Sequence, residues 1–319
     1  MPGEFDLIRR RFTRSVTHTD LGVGDDGALF TPRAGMQMVV STDMLVSGTH
    51  FFADVSPELL GWKAAAVNIS DMAAMGAEPR WMLLALSLPH VREEWVAAMA
   101  SGFHGCCAGF GVDWVGGDTT RGPLNLCPTI IGEVPHGRAI VRSGARAGDD
   151  IWVSGVPGLA ALGLRALRDN LSLANDWRER CISALHKPTP RVALGMGLRG
   201  LATAALDVSD GLCGDLMHIL ERSNVAAVLS DAEWPLQPLI AACGEAQLAR
   251  QMFLAGGDDY ELLFTIPAER RAEVEALSLR LALPLARIGA IEAGAPHITL
   301  RLHDGTRQPM STRGFDHFS

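Results

Sequence analysis

The sequence predicts an α/β or α+β protein of two domains. Two observations predict it. The chain has 319 residues, and a typical domain takes roughly 150. Segments of strand pattern also alternate with segments of helix pattern on both sides of a basic, glycine-rich stretch at residues 137–148. The boundary is therefore expected near residue 137, giving domains of residues 1–137 and 138–319.

Residues 36–46 (MQMVVSTDMLV) are rich in β-branched side chains and read as a strand running into a polar Ser-Thr-Asp loop. Residues 57–76 read as a helix, with Pro near its start and Gly at its end. Within it Trp62, Ala65, Ala66, Ile69 and Ala73 fall on one face. A strand is expected at 81–88, a helix at 93–109, a short strand at 112–115 and a longer one at 124–134. The second half opens with a strand at 150–153. Helices follow at 158–168, 190–205 and 212–223, strands at 226–229 and 262–266, and a helix at 268–281. No internal repeat or low-complexity tract interrupts the order.

Composition narrows the function. Hydrophobic residues make up 48% and charged residues 20%, which excludes wholesale disorder. The net charge of −8 argues against nucleic acid or an anionic membrane as the main partner. Only two basic residues are Lys, Lys63 and Lys187, and neither lies in a G-x-x-x-x-G-K-[ST] string, so a P-loop kinase is excluded. The six cysteines form no C-x-x-C and read as reduced thiols, Cys106 and Cys107 packing within a helix. No apolar signal-peptide core follows Met1, and no apolar run approaches the ~20 residues of a membrane span; the expected location is the cytoplasm.

The aspartates carry the chemistry. Nine of 21 fall in six short strings with Gly, Ser or Thr, read as loops: GVGDDG at 22–27, STD at 41–43, SD at 70–71, GGDT at 116–119, DVSDG at 207–211 and GGDD at 256–259. Any one of them is explained as a turn or helix cap. Six are harder to explain that way. Converging carboxylates repel unless cations lie between them, and carboxylates with hydroxyls suit Mg²⁺ completed by phosphate. If these loops meet, a phosphoryl-transfer site with several Mg²⁺ ions is the natural inference. Gly22, Gly24 and Gly27 formally spell the dinucleotide fingerprint. Asp25 and Asp26 within it would repel a bare pyrophosphate, so that reading is rejected.

In order, the strings GEFDLI at 3–8, GVGDDGAL at 22–29, STDMLVSGTHF at 41–51, KAAAVNISDMAAMGAEP at 63–79 and GGDTTRGP at 116–123 resemble the bacterial thiamine-monophosphate kinases of the aminoimidazole ribonucleotide synthetase superfamily. GRAIVRSGARAGD at 137–149, DVSDGL at 207–212, GGDDYELLFT at 256–265 and GFDHF at 314–318 extend the likeness to the end. The resemblance implies that ATP and thiamine monophosphate give ADP and thiamine diphosphate by direct transfer of the γ-phosphoryl group, with no acid or base residue required. It also implies a homodimer pairing its N-terminal sheets, an N-terminal domain binding ATP and Mg²⁺, and a C-terminal α/β domain completing the site.

Carried over by position, Asp26, Ser41, Thr42, Asp43, Asp71, Asp118, Asp207 and Asp210 would hold Mg²⁺. Gly117, Asp118, Arg142 and Ser209 would meet ATP; His50, Asp258 and Phe315 would meet thiamine monophosphate. The family often has Glu in place of Asp258 and Trp or Tyr in place of Phe315. Selenophosphate synthetases of the same superfamily carry Cys or selenocysteine near the start, whereas this chain has no Cys before Cys106. The rival from another class is a non-catalytic Mg²⁺/nucleotide-binding protein; every metal position carried over still has an oxygen donor.

Overall fold

A computed structural model describes residues 8–310. They form two compact units, the first running to Met72 and resuming over Ala77–Gly137, the second taking Ala73–Gly76 and continuing from Arg138.

The first unit contains β1 (Met36–Thr42), β2 (Leu45–Val46), α1 (Pro57–Ala74), β3 (Glu78–Leu88), α2 (Glu93–Gly109), β4 (Asp113–Arg121) and β5 (Asn125–Pro135). Its sheet runs β1-β5-β3-β4, with β2 also on β5. The β3·β4 pair is parallel because α2 carries the chain back between them; the other pairs are antiparallel. Along β3, Met82, Leu84, Leu86 and Leu88 are buried while Ala85 is exposed, the period of two expected of a strand. Leu60, Ile69 and Met72 of α1 and Met99 and Phe103 of α2 are buried as well.

Three expectations are corrected here. The strand expected over 36–46 breaks after Thr42, where the register places Asp43 opposite Pro128. Proline has no N–H for the ladder, and the Pro128 carbonyl accepts the Thr42 hydroxyl instead, at 2.7 Å. GGDT is not a loop: β4 extends to Arg121, keeping Gly117 beside Leu84 and Asp118 beside Ala85. Gly117 makes this possible. Its φ of +147° and its approach to β3, where a Cβ would lie 1.9 Å from the Leu84 carbonyl oxygen, exclude any other residue. Asp71 is not in a loop either but on α1.

The second unit contains β6 (Asp149–Ser154), α3 (Leu159–Arg168), α4 (Asn175–His186), α5 (Val192–Gly197), β7 (Ala204–Asp207), α6 (Leu212–Ser223) and β8 (Ala226–Ser230). It continues with α7 (Gln237–Cys243), α8 (Ala246–Ala255), β9 (Leu262–Pro267), α9 (Arg271–Leu281), β10 (Leu285–Glu292), β11 (Ile298–Arg301) and β12 (Arg307–Pro309). The sheet order is β12-β11-β8-β10-β6-β9-β7, antiparallel except for β8·β11. Successive residues feed two cores. Ile151, Val153, Leu206 and Leu263 join one with Leu162, Leu216 and Phe253. Trp152, Ala205, Leu262 and Phe264 join the other with Leu194 and Leu277. A sheet buried on both faces explains the near-continuous apolar runs of β6 and β9.

The helix expected over 190–205 is cut short. Only Val192–Gly197 is helical, and β7 begins at Ala204. Gly200, at φ +71°, turns the chain. The Thr203 N–H then donates to the Thr265 carbonyl, starting the pairing with β9. The six cysteines are free thiols, Cys106 and Cys107 buried in α2. Among the described residues no helix is long and apolar enough to cross a membrane.

Candidate active site

In the first unit, two elements bring oxygen donors together. β1 ends in Ser41-Thr42, followed by Asp43, and the Ser41 hydroxyl donates to Asp71 Oδ2 of α1 at 2.5 Å. Thr42 Oγ1, fixed by the Pro128 carbonyl, also lies 3.1 Å from Thr129 Oγ1. Asp118 is exposed on β4. Asp26 lies on an exposed loop, where its N–H donates to Asp25 Oδ1 at 3.0 Å; Asp25, whose role the sequence left open, shapes this turn. His50 follows β2, and its Nδ1 accepts the Val46 N–H at 3.0 Å. A neutral His50 ring therefore carries its proton on Nε2.

In the second unit, two loops run side by side. Asp207 ends β7, and the Ser209 carbonyl accepts the Asp258 N–H at 2.8 Å while the Val208 carbonyl accepts the Tyr260 N–H at 2.9 Å. Gly257 permits the approach, since a Cβ there would lie 2.4 Å from the Ser209 carbonyl oxygen. Asp258 adopts φ +69°, a left-handed conformation that Asp tolerates better than most residues. Arg142 is exposed, and its carbonyl accepts the Ser223 hydroxyl at 3.3 Å.

Acids to which the sequence reading gave no role brace these loops. Asp215 Oδ2 accepts the N–H groups of both Ser209 and Asp210, at 3.0 and 3.1 Å. Burial pushes the Asp215 carboxyl up to about 7; the two N–H groups oppose the shift, and the charges of Asp210 and Asp207 add to it. Asp259, also unassigned from sequence, takes the Gly158 N–H at 2.6 Å and the Ala160 N–H at 3.1 Å at the start of α3. It is a cap supplied by a distant loop. Glu261 pairs with Arg191 and Ser154. One signal was legible: an acid in the first turn of a helix, as at Asp215, commonly reaches back to the N–H groups before it.

Mg²⁺ fits this donor set. The donors at the ends of β1, on α1 and on β4 are carboxylate and hydroxyl oxygens, the type a hard cation takes. Among the described residues no three His, Cys, Asp or Glu side chains form a ready-made metal cage.

The sequence family described as AIR synthase related protein, N-terminal domain, matches residues 24–134. The thiamine-monophosphate kinase of Escherichia coli K12 is 40% identical over 99% of this chain and 98% of its own. The chain belongs to the thiamine-monophosphate kinase family. As a member of that family it is an enzyme, a phosphotransferase, and its fold is that of the AIR synthase-like proteins. The crystal structure of the family's enzyme from Stenotrophomonas maltophilia K279a superposes with a TM-score of 0.83 at 46% identity, covering 92% of this chain and 94% of that one. The structure of AaThiL complexed with AMPPCP and TMP gives a TM-score of 0.77 at 29% identity, covering 99% and 97%. Phe315, with the string at 314–318 and all but the last residue of the string at 3–8, lies outside the described residues.

Proposed function

We propose that this protein transfers the γ-phosphoryl group of ATP to thiamine monophosphate, giving ADP and thiamine diphosphate, in a single in-line step. The observation that carries this reading is the full-length likeness to thiamine-monophosphate kinases, including a relative whose structure holds AMPPCP and TMP. The donor chemistry agrees with it. The acceptor is itself a phosphate oxygen, already a nucleophile, so the protein needs no base and has only to align two anions and neutralise them.

In this proposal Asp26, Ser41, Thr42, Asp43, Asp71 and Asp118 of the first unit, with Asp207 and Asp210 of the second, hold several Mg²⁺ ions. Bound Mg²⁺ would offset the charge of the phosphates as it builds during transfer. Gly117, Asp118, Arg142 and Ser209 hold ATP. The Arg142 guanidinium is suited to a phosphate, and the backbone at Gly117 is open because no side chain covers it. His50, Asp258 and Phe315 hold thiamine monophosphate, with His50 Nε2–H directed to an acceptor and the Phe315 ring stacked on the cationic thiazolium.

We also read the protein as a cytoplasmic homodimer. β1 is an edge strand of its sheet, and Met38, Val40 and Met44 are exposed on or just beyond it, at 37%, 62% and 56%. An apolar open edge is what a second copy would cover.

Chromatography of products from purified protein, Mg²⁺ and ATP, with thiamine monophosphate or free thiamine as acceptor, tests the reading. Equal amounts of ADP and thiamine diphosphate are expected from the monophosphate alone. Product from free thiamine, or ATP binding without any product, would overturn it.

A further inference from the structure

The loop that carries Asp25 and Asp26 has an apolar anchor on one side of its neck only: Leu21 and Leu29 are 37% and 61% exposed, while Phe30 after Leu29 stacks on Trp81 with ring centroids 4.2 Å apart. Backbone hydrogen bonds close the neck, from the N–H groups of Asp20 and Leu21 to the Leu29 carbonyl at 2.8 and 3.0 Å, and from the Leu29 N–H to the Leu21 carbonyl at 2.8 Å. Beyond it lie Gly22, Gly24 and Gly27, which leave the loop conformationally free. On the other side, the approach to the neck is held by one buried carboxylate. Asp113, 7% exposed at the first position of β4, accepts the Thr17 N–H on both oxygens at 2.9 Å, the His18 N–H at 2.6 Å and the Thr19 hydroxyl at 2.8 Å. The His18 carbonyl in turn accepts Trp81 Nε1–H at 3.0 Å.

Asp113 thus holds the three residues that lead into the neck, through hydrogen bonds to an ionised group, the stronger kind. Five positions further along the same strand is Asp118. A single strand therefore carries one candidate metal donor directly and anchors the approach to another. We propose that Asp113 is a positioning residue for the acidic loop, so that the metal affinity contributed by Asp26 depends on it. This rests on the reading of Asp26 as a metal donor.

Mn²⁺ binding in the presence of AMPPCP, followed by electron paramagnetic resonance, tests it on the full chain. Asp26→Asn is expected to weaken Mn²⁺ binding. Asp113→Asn keeps the shape but turns an amide N–H toward the Thr17 N–H, and is expected to weaken Mn²⁺ binding about tenfold, as loss of a supporting partner does. Thr19→Val removes only the hydroxyl's bond and is expected to weaken binding less. The double variant Asp26→Asn/Asp113→Asn is expected to bind no more weakly than Asp26→Asn alone, because both act through one donor. Faster amide hydrogen exchange over residues 20–29 in Asp113→Asn should accompany the loss.

Unchanged Mn²⁺ affinity in Asp113→Asn, with Asp26→Asn weakened, overturns the positioning role; so does an additive double variant. Unchanged affinity in Asp26→Asn overturns the assignment of Asp26 itself. If Asp113→Asn does not fold, Thr19→Val decides alone, and wild-type Mn²⁺ affinity in it overturns the proposal.

Discussion

The Ser41 hydroxyl donates to Asp71 Oδ2 at 2.5 Å, tying the end of an edge strand to the fourth turn of a helix thirty residues on. The contact sets two oxygen donors side by side and gives Asp71 a fixed orientation. On the proposed chemistry, Asp71 serves through its charge and Ser41 through its oxygen. Asp71→Asn is expected to lower kcat by two or more orders of magnitude, and Ser41→Ala by about tenfold. Steady-state assays over a range of Mg²⁺ check both. An unchanged Mg²⁺ dependence in both variants would remove this pair from the metal site.

Asp43 lies in the break after β1 and Asp118 on β4, and neither residue is buried. Asp43→Asn and Asp118→Asn are each expected to cut kcat by orders of magnitude while circular dichroism and the melting temperature stay near wild type. Near-normal turnover in both would end the metal assignment in the first unit.

Asp215 supports the loop that carries Ser209 and Asp210 through two backbone N–H groups. Asp215→Ala leaves both N–H groups without their acceptor, at about 1–3 kcal/mol each where no water reaches them. KM for ATP is expected to rise several-fold more than KM for thiamine monophosphate. A rise confined to thiamine monophosphate would place Ser209 on the wrong substrate.

Phe315 is assigned to the thiamine ring by position alone. Phe315→Ala is expected to raise KM for thiamine monophosphate with kcat little changed, and Phe315→Trp to be tolerated, since indole is the better partner for a cation. Initial-rate measurements with each substrate varied in turn separate the two. A change in KM for ATP alone would show that the tail lies elsewhere.

Glu133 gives a pH signature away from the site. It is 1% exposed and accepts from the N–H and guanidinium of Arg33 and from Arg80. Burial alone would raise its pKa, but these partners outweigh it and hold the carboxyl below its ordinary value. The sign follows from that lowering. Unfolded Glu titrates near ~4.3, so the stabilisation is complete above that pH and is lost as pH falls through the lower folded value. Glu133→Gln is expected to cost about 2–3 kcal/mol at pH 7, toward the low end for a broken buried pair because Arg33 is half exposed. The gap to wild type should start to close as pH falls below about 5, near the unfolded titration, and go on closing until pH has passed below the lower folded value. Urea denaturation at several pH values checks this; a gap independent of pH would mean that shape, not charge, is at stake.

The sequence disclosed the elements whose patterns were long and periodic. Glu93–Gly109 and Leu212–Ser223 appear with the expected bounds, since each has a clear apolar face and a glycine or polar stop. The second unit's short helices Gln237–Cys243 and Ala246–Ala255 and the strand Leu285–Glu292 were not read at all. Seven to ten residues give too few turns for a period to stand out, and Leu285–Glu292 shows no clear alternation because Ile288 and Gly289 are buried in succession where the register shifts. Asp71 and Asp118 were recognised by residue type yet assigned to loops. Glycine and aspartate signal turns locally, but the pairing of β4 with β3 and the burial of α1 override that preference. The supporting acids Asp113 and Asp215 could not be ranked from sequence, because their importance lies in which N–H groups they face.

On the proposed mechanism, no protein group takes the phosphoryl group on its way from ATP to thiamine monophosphate. The most direct test is the stereochemical course with ATP made chiral at the γ-phosphorus by oxygen isotopes and sulfur. A single in-line transfer predicts inversion of configuration in thiamine diphosphate. Retention would mean two successive transfers through a phosphorylated side chain, and would contradict direct transfer.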